Sequence, residues 1–242
     1  MHRIEEFFRN FLIWIYVLVT VPTMGLLALI IRKHFWAVIW CKGLLFLLGI
    51  RIKAFFQENL PAERVYVFMC NHQSQLDIPV LEKVLEPYNI RFLAKKSLFQ
   101  IPFFGWGIKA LGYVPIEREE TKKGLQSLYV CIERLKQGIS LVIFPEGTRS
   151  IDGKLLPFKS APFIVPIKTK TPVVPVAIKG TKDILPKGKL WFSLKRKEVK
   201  VYVGRAISTE NLSLKQRKEL SQIVRKEIEK FLNEEKVIEE AK

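Results

Sequence analysis

Val65-Tyr66-Val67-Phe68-Met69-Cys70-Asn71-His72-Gln73-Ser74-Gln75-Leu76-Asp77-Ile78-Pro79 is the stretch whose reading decides the fold. The first six residues form an uninterrupted apolar run of strand length, and the run starting at Ile78 reads as a helix. Pro79 fits the first turn of that helix, so Asp77 sits at the helix start and can turn back toward His72. A polar break between a buried strand and a helix is where α/β proteins usually carry chemistry. His72 can take a proton near neutral pH, and Asp77 can fix its tautomer and stabilise the imidazolium. The pair has no nucleophile of its own, so a substrate must bring one. Taken alone, the same residues also suit a satisfied structural histidine.

The alternation continues outward from this stretch. Strands are expected at 51–56, 65–70, 90–94, 112–116, 139–144, 173–178 and 198–203, and helices at 78–86, 97–111, 121–137 and 213–234. This is the pattern of an α/β domain with a central mixed sheet flanked by helices, spanning residues 51–242. The helix at 121–137 has an apolar stripe, with Thr121 as N-cap and Gly138 as stop. Ser213-x-x-Gln216 is a capping box for the last helix. Between Phe144 and Val173 lies a long Pro-, Gly- and Lys-containing segment, and such loops in compact domains are usually functional.

Residues 1–50 break the soluble pattern and are expected to form a two-helix membrane anchor. Phe11 to Ile31 contains 21 residues without a charge, roughly 31 Å as a helix and about the thickness of a bilayer core. Phe35 to Ile50 follows, carries Lys42, and is short for a return crossing. The first run can span once, or the two can form a hairpin dipping into one leaflet. The hairpin is the favoured arrangement; a buried core helix pair is the third alternative. Trp14, Tyr16, Phe35, Trp36 and Trp40 suit the headgroup region.

The chain has 40 Lys plus Arg against 23 Asp plus Glu, a net +17. That predicts an anionic partner: nucleic acid, an anionic membrane surface or a phosphorylated substrate. The span 179–205 holds nine basic residues against Asp183 and Glu198, and with Trp191 and Phe192 it suits anionic headgroups. The apolar N-terminus favours lipid, so no nucleic acid is expected. Cys41, Cys70 and Cys131 are odd in number and widely spaced, which argues against a disulfide framework or a zinc site and for a reducing cytosol. Cys70 is read as a buried structural thiol because strand neighbours alternate faces. Gly105-Trp106-Gly107 follows no clean strand and is not read as a nucleotide fingerprint.

Pro145-Glu146-Gly147-Thr148-Arg149-Ser150 follows another buried run. Gly147 permits a tight turn, and Arg149 offers a planar fork suited to phosphate. Glu146 can anchor Arg149, orient the loop or bind a substrate hydroxyl. Arg118, ending Gly112-Tyr113-Val114-Pro115-Ile116-Glu117-Arg118, and Lys159, after Pro157-Phe158, are further basic candidates, though taken alone each reads more readily as a solvated surface cation.

Together these residues resemble the glycerolipid acyltransferases, most nearly the 1-acylglycerol-3-phosphate O-acyltransferases (lysophosphatidic acid acyltransferases). His72 and Asp77 fit the family's His-x4-Asp signature, with Asn71 just before it. Lys95 to Trp106 resembles the segment before the second motif, Gly112 to Arg118 the second motif, Phe144 to Ser150 the third and Val173 to Val176 the fourth. All four stand in family order across about residues 60–180. The resemblance implies acyl transfer from acyl-CoA or acyl-carrier protein to the sn-2 hydroxyl of 1-acyl-sn-glycerol 3-phosphate, forming phosphatidic acid. It makes His72 the general base oriented by Asp77, and Arg118 and Arg149 the phosphate ligands. Glu146, Gly147 and Thr148 would shape the acceptor site, and amides near the start of the 78–86 helix would meet the oxyanion. No metal or redox cofactor is implied. The expected place is the cytoplasmic face of the cell membrane.

Two departures stand out. Ser160-Ala161-Pro162-Phe163 replaces a Lys-Gly-Ala-Phe-like run, which puts local geometry and the role of Lys159 in question. Glu117 stands where Asp is more usual. Glycerol-3-phosphate or another lysophospholipid is the alternative acceptor. The alternative of a different class is a non-catalytic, basic, membrane-anchored protein that binds nucleic acid.

Overall fold

The computed structural model describes residues 2–116, 121–193, 195 and 197–233. Two helices, α1 (His2–Ile30) and α2 (Phe35–Leu48), lead into a seven-stranded sheet. Its strands are β1 (Arg51–Phe56), β2 (Val67–Cys70), β3 (Ile90–Lys95), β4 (Val114–Ile116), β5 (Ser140–Ile143), β6 (Val173–Lys179) and β7 (Glu198–Val203). In space they run β1-β7-β6-β2-β5-β3-β4, parallel throughout except between β6 and β7. The sheet is therefore mixed, and every expected strand is present.

Alternation along β2 sorts the core into two layers. Phe68 and Cys70 join the hairpin side with Ile13, Ala28, Leu44 and Leu48, while Val67 and Met69 face the opposite side. That side is covered by α5 (Thr121–Lys136), α6 (Ile164–Thr169) and α8 (Arg217–Asn233). Strands β2, β5 and β6 are buried on both faces, which explains their nearly unbroken apolar sequence. Edge strand β1 carries exposed Arg51 and Lys53, charges that discourage further strand pairing.

Three expectations change in detail. The helix anticipated over 97–111 is a 3-10 turn, Lys96–Gln100, followed by α4 (Phe104–Ala110). Pro102 disfavours helical geometry at Ile101, and Phe103 turns the chain at φ 61°. The 145–172 segment is not all loop, because Ala161–Phe163 forms a 3-10 turn that runs into α6. Pro162 is tolerated there in the first turn, where its missing N–H is not needed, and Phe163 becomes fully buried. Phe192 is buried rather than available at the surface, leaving Leu190 and Trp191 exposed in that stretch.

The capping box forms as expected, with Ser213 and Gln216 bonding reciprocally ahead of α8. Helix α1 is long and apolar enough to cross a membrane, yet it is docked along its length. Asn10, fully buried, exchanges two hydrogen bonds with the Phe192 backbone (3.0 and 2.8 Å). Trp40 donates to Thr20 (2.8 Å), joining the two helices as a hairpin. Farther along, a Cβ on Gly107 of α4 would stand 2.9 Å from the Gly25 Cα. The side chains facing away, including Phe8, Leu12, Leu18 and Ile30, are apolar and exposed.

That backbone contact makes Gly107 a test of hairpin docking. Gly107→Val should force α1 from α4 and destabilise the protein by about 1–3 kcal/mol. A thermal denaturation midpoint equal to that of the unaltered protein would contradict this packing.

Candidate active site

Three neighbouring parallel strands, β6, β2 and β5, end side by side, and their following loops carry the candidate residues. This is the crevice at strand carboxyl ends, beside the point where the chain switches direction across the sheet. Asn71 leaves β2 by pairing its amide with both backbone groups of Ile178 on β6 (3.0 and 2.8 Å), prolonging the sheet by one side chain. His72 then projects into the crevice. Its ring stacks on Phe144, with centroids 3.9 Å apart and planes 14° from parallel.

Asp77, the first residue of α3 (Asp77–Val84), is fully buried. Its Oδ2 accepts from His72 Nδ1 (2.7 Å) and from the amides of Gln73 (2.7 Å) and Ser74 (2.9 Å). Its Oδ1 accepts from the Thr181 hydroxyl, at the start of α7 (Thr181–Ile184). An ionised carboxylate only accepts, so His72 carries its proton on Nδ1 and Nε2 is left to take one. The expected His72–Asp77 pair is therefore formed, and the loop between them folds around the carboxylate.

That wrapping has a consequence for the oxyanion. The amides of Gln73 and Ser74 are taken by Asp77, that of Leu76 by Ser74 Oγ, and that of Asp77 by the Ser74 carbonyl. These four N–H groups leading into α3 are spent inside the loop, so none of them is free to meet an oxyanion.

Glu146 orients the loop and does not anchor Arg149. Its Oε1 accepts from the His72 amide (2.7 Å) and its Oε2 from the Leu156 amide (2.9 Å). Burial pushes its pKa up to about 7, against the pull of those two N–H groups. The Ser150 amide donates to the His72 carbonyl (2.8 Å), so the β5 loop grips the His72 backbone at both ends. Gly147 adopts φ 72°, and a Cβ there would meet Lys159 Cε at 3.1 Å. Lys159 thus lies over this loop, its amide bonded to the Pro145 carbonyl (2.9 Å). Thr148 is exposed, and Arg149 is half-buried. Arg118 lies outside the described residues.

Sequence reasoning missed Thr181, although Gly180-Thr181 is another polar break after an apolar run and could have been read as His72 was. It also passed over Gln73, a buried side chain whose Nε2 donates to the Gly153 carbonyl (3.3 Å) while its Oε1 has no partner. Cys70 is buried and inert; burial drives its thiol pKa well above the ordinary range. Among the described residues no three His, Cys, Asp or Glu side chains are grouped to hold a metal ion.

Near the dyad lies an apolar cavity of about 130 Å³ between the hairpin, β3 and α4. Val21, Trp36, Trp40, Phe92 and Leu98 line it, and it reaches Ile78, next to Asp77. Phe92, itself in the cavity wall, stacks on Phe144 (centroids 6.1 Å), so one ring stands between that wall and His72.

The acyltransferase family model matches residues 51–179. A chloroplastic 1-acyl-sn-glycerol-3-phosphate acyltransferase of Brassica napus is 39% identical over 162 residues, 64% of this chain and 44% of that protein. The chain thus spans less than half the length of this relative. The Bacillus subtilis 1-acyl-sn-glycerol-3-phosphate acyltransferase is 34% identical over 142 residues, 57% of this chain and 69% of that one. The crystal structure of a 1-acyl-sn-glycerophosphate acyltransferase from Thermotoga maritima superposes with a TM-score of 0.76 at 27% identity, covering 97% of this chain and 99% of that chain. With the strand-end dyad and four motifs in order, these matches establish that the chain belongs to the acyltransferase family.

Proposed function

We propose that this protein transfers a fatty acyl group from a thioester donor, acyl-CoA or acyl-carrier protein, to the sn-2 hydroxyl of 1-acyl-sn-glycerol 3-phosphate, forming phosphatidic acid. The observation that carries this reading is a His–Asp dyad without a protein nucleophile, set between an apolar cavity and a cationic loop. The relatives' names point to the same acceptor.

In this mechanism His72 Nε2 takes the proton of the acceptor hydroxyl as its oxygen attacks the thioester carbonyl. The tetrahedral intermediate collapses with cleavage of the C–S bond. The departing thiolate takes the proton from the imidazolium, leaving ester and free thiol. Asp77 stabilises the imidazolium and fixes the ring, and Thr181 and the loop amides hold Asp77 in turn. Arg149 faces the acceptor phosphate, with Lys159 lying over the same loop at Gly147; Glu146, Gly147 and Thr148 shape that loop. Arg118 is assigned to the same anion on motif resemblance alone. The cavity takes an acyl tail. The exposed apolar face of α1 rests in one leaflet at the cytoplasmic face of the membrane, and the basic surface meets anionic headgroups.

His72→Ala should lower acyl transfer to lysophosphatidic acid by roughly 10²–10⁴-fold, measured with purified protein and both donor types. Normal phosphatidic acid production by that variant would rule out the general-base role. Thr181→Val removes the Oδ1 partner of Asp77 at nearly constant volume. It should cut kcat roughly tenfold with little change in KM for either substrate, from one lost hydrogen bond to a buried charge. An unchanged kcat would show that the amides alone suffice.

Glu146 supplies a pH signature. Its folded pKa of about 7 lies above the unfolded value near 4.5, so its contribution to stability is complete below pH 4.5 and is lost as pH rises through 7. The full difference is about 3 kcal/mol. Glu146→Gln should therefore flatten the decline of the denaturation midpoint between pH 5 and 7.5. Parallel curves for the two proteins would show that Glu146 keeps an ordinary pKa.

A further inference from the structure

Lys187 belongs to none of the four motifs, yet its side chain ends on the loop that carries Arg149. It sits in the turn Pro186–Lys189, closed by the Lys189 amide on the Pro186 carbonyl (3.1 Å), with Gly188 at φ 80°. A positive φ at the third position is what a type II turn requires, and glycine supplies it without strain. The base of the turn is fixed to the catalytic loop, because Ser74 Oγ donates to the Leu185 carbonyl (2.7 Å). The same short segment begins at Thr181, the partner of Asp77.

From this turn the half-buried Lys187 ammonium donates to the Arg149 carbonyl (2.8 Å) and to Thr148 Oγ1 (3.1 Å). An ammonium has three N–H donors, so one remains unassigned. Among the described residues neither Lys187 nor Arg149 has a carboxylate partner. Two cations therefore meet on one loop and neither is ion-paired, the loop's carboxylates being engaged elsewhere (Glu146 with backbone amides, Asp152 with Ser150 and Lys154), so an arriving anion would relieve their repulsion. The loop also bonds the His72 backbone through Ser150. An anion held there lies beside the base that must reach the acceptor hydroxyl, which sits on the glycerol carbon next to the one bearing phosphate.

We propose that Lys187 is a phosphate-binding residue of the acceptor site, contributing its third N–H and its charge to the same phosphate as Arg149. This rests on the acceptor reading above. The donor's pantetheine phosphate offers the same chemistry, so the experiment must tell the two apart.

The test compares Lys187→Met, Lys187→Arg and Thr148→Val in the full chain, using a short-chain lysophosphatidic acid kept below its micelle concentration. Lys187→Met should raise the acceptor KM roughly ten- to hundredfold, with kcat at saturating acceptor and donor KM within about threefold. Lys187→Arg should recover part of that loss. Thr148→Val removes one tether and leaves the charge; because Thr148 also shapes the acceptor site its KM should rise, but by less than that of Lys187→Met. Calorimetric titration with glycerol 3-phosphate, which needs no turnover, should show binding to the unaltered protein weakened by Lys187→Met. A rise in donor KM instead would assign the phosphate to the donor and overturn the proposal. Equal KM changes in Thr148→Val and Lys187→Met would reduce Lys187 to a loop tether. An unaltered protein that binds glycerol 3-phosphate but does not acylate lysophosphatidic acid would refute the proposed activity, not the phosphate site.

Discussion

A carboxylate with no solvent exposure is tolerable only when its charge is met from several directions, and Asp77 is met from four. Two of those donors are amides of its own loop, one is the His72 imidazole, and one comes from Thr181, beyond β6. Satisfying this single group therefore sets the path of residues 72–77, the tautomer of His72 and the junction between the β2 and β6 loops. The β5 loop obeys a parallel constraint through Glu146, which accepts one amide from each of two loops. Burial lifts the Glu146 pKa to about 7, and its two N–H donors oppose the rise. The result is an imidazole whose backbone and ring are both held by hydrogen bonds.

The sheet makes this possible. Strand β2 lies at the centre, with β5 on one side and β6 on the other, all running the same way. Their loops emerge on one edge, so residues more than a hundred positions apart, such as Asp77 and Thr181, meet without any long excursion of the chain. Pairing only β6 with β7 antiparallel returns the chain to the side of the hairpin, where β7 joins β1. The hairpin and the loops of the candidate site are thereby built on one framework.

Much of this was legible in the sequence because its signals are local. Apolar runs such as Tyr66–Cys70 and Leu141–Phe144 mark strands buried on both faces, and the polar residues after them mark the site. The His–Asp spacing predicted a contact that the loop then makes. What escaped was long-range or conformational. The break at Phe103 depends on a positive φ that no periodicity announces. Pro162 and Pro166 made α6 read as loop, although proline is acceptable in a first turn. Lys187 looked like one of nine interchangeable cations in a basic span, because its specificity lies in contacts with residues 38 and 39 positions away. The apolar cavity has no sequence signature, since helices, a strand and a loop distant in the chain line it.

Helix α1 shows how length and composition alone underdetermine a membrane helix. Its apolar run would suffice to cross a bilayer, but Ile13 and Ala28 belong to the core that also holds Phe68 and Val176. Asn10 is tied to Phe192 near one end, and Gly25 packs against Gly107 near the other. Standing upright across a bilayer would strip these contacts and leave a buried asparagine unpaired. Lying flat keeps them and leaves one continuous apolar face outward, the geometry of an interfacial helix. On the proposed reading the apolar cavity then opens beneath the helix that meets the lipid, and Phe92 and Phe144 lead from it to His72. Burying the acyl tail on this side while Arg149 and Lys187 hold phosphate on the other would place the glycerol hydroxyl between them, where the base stands.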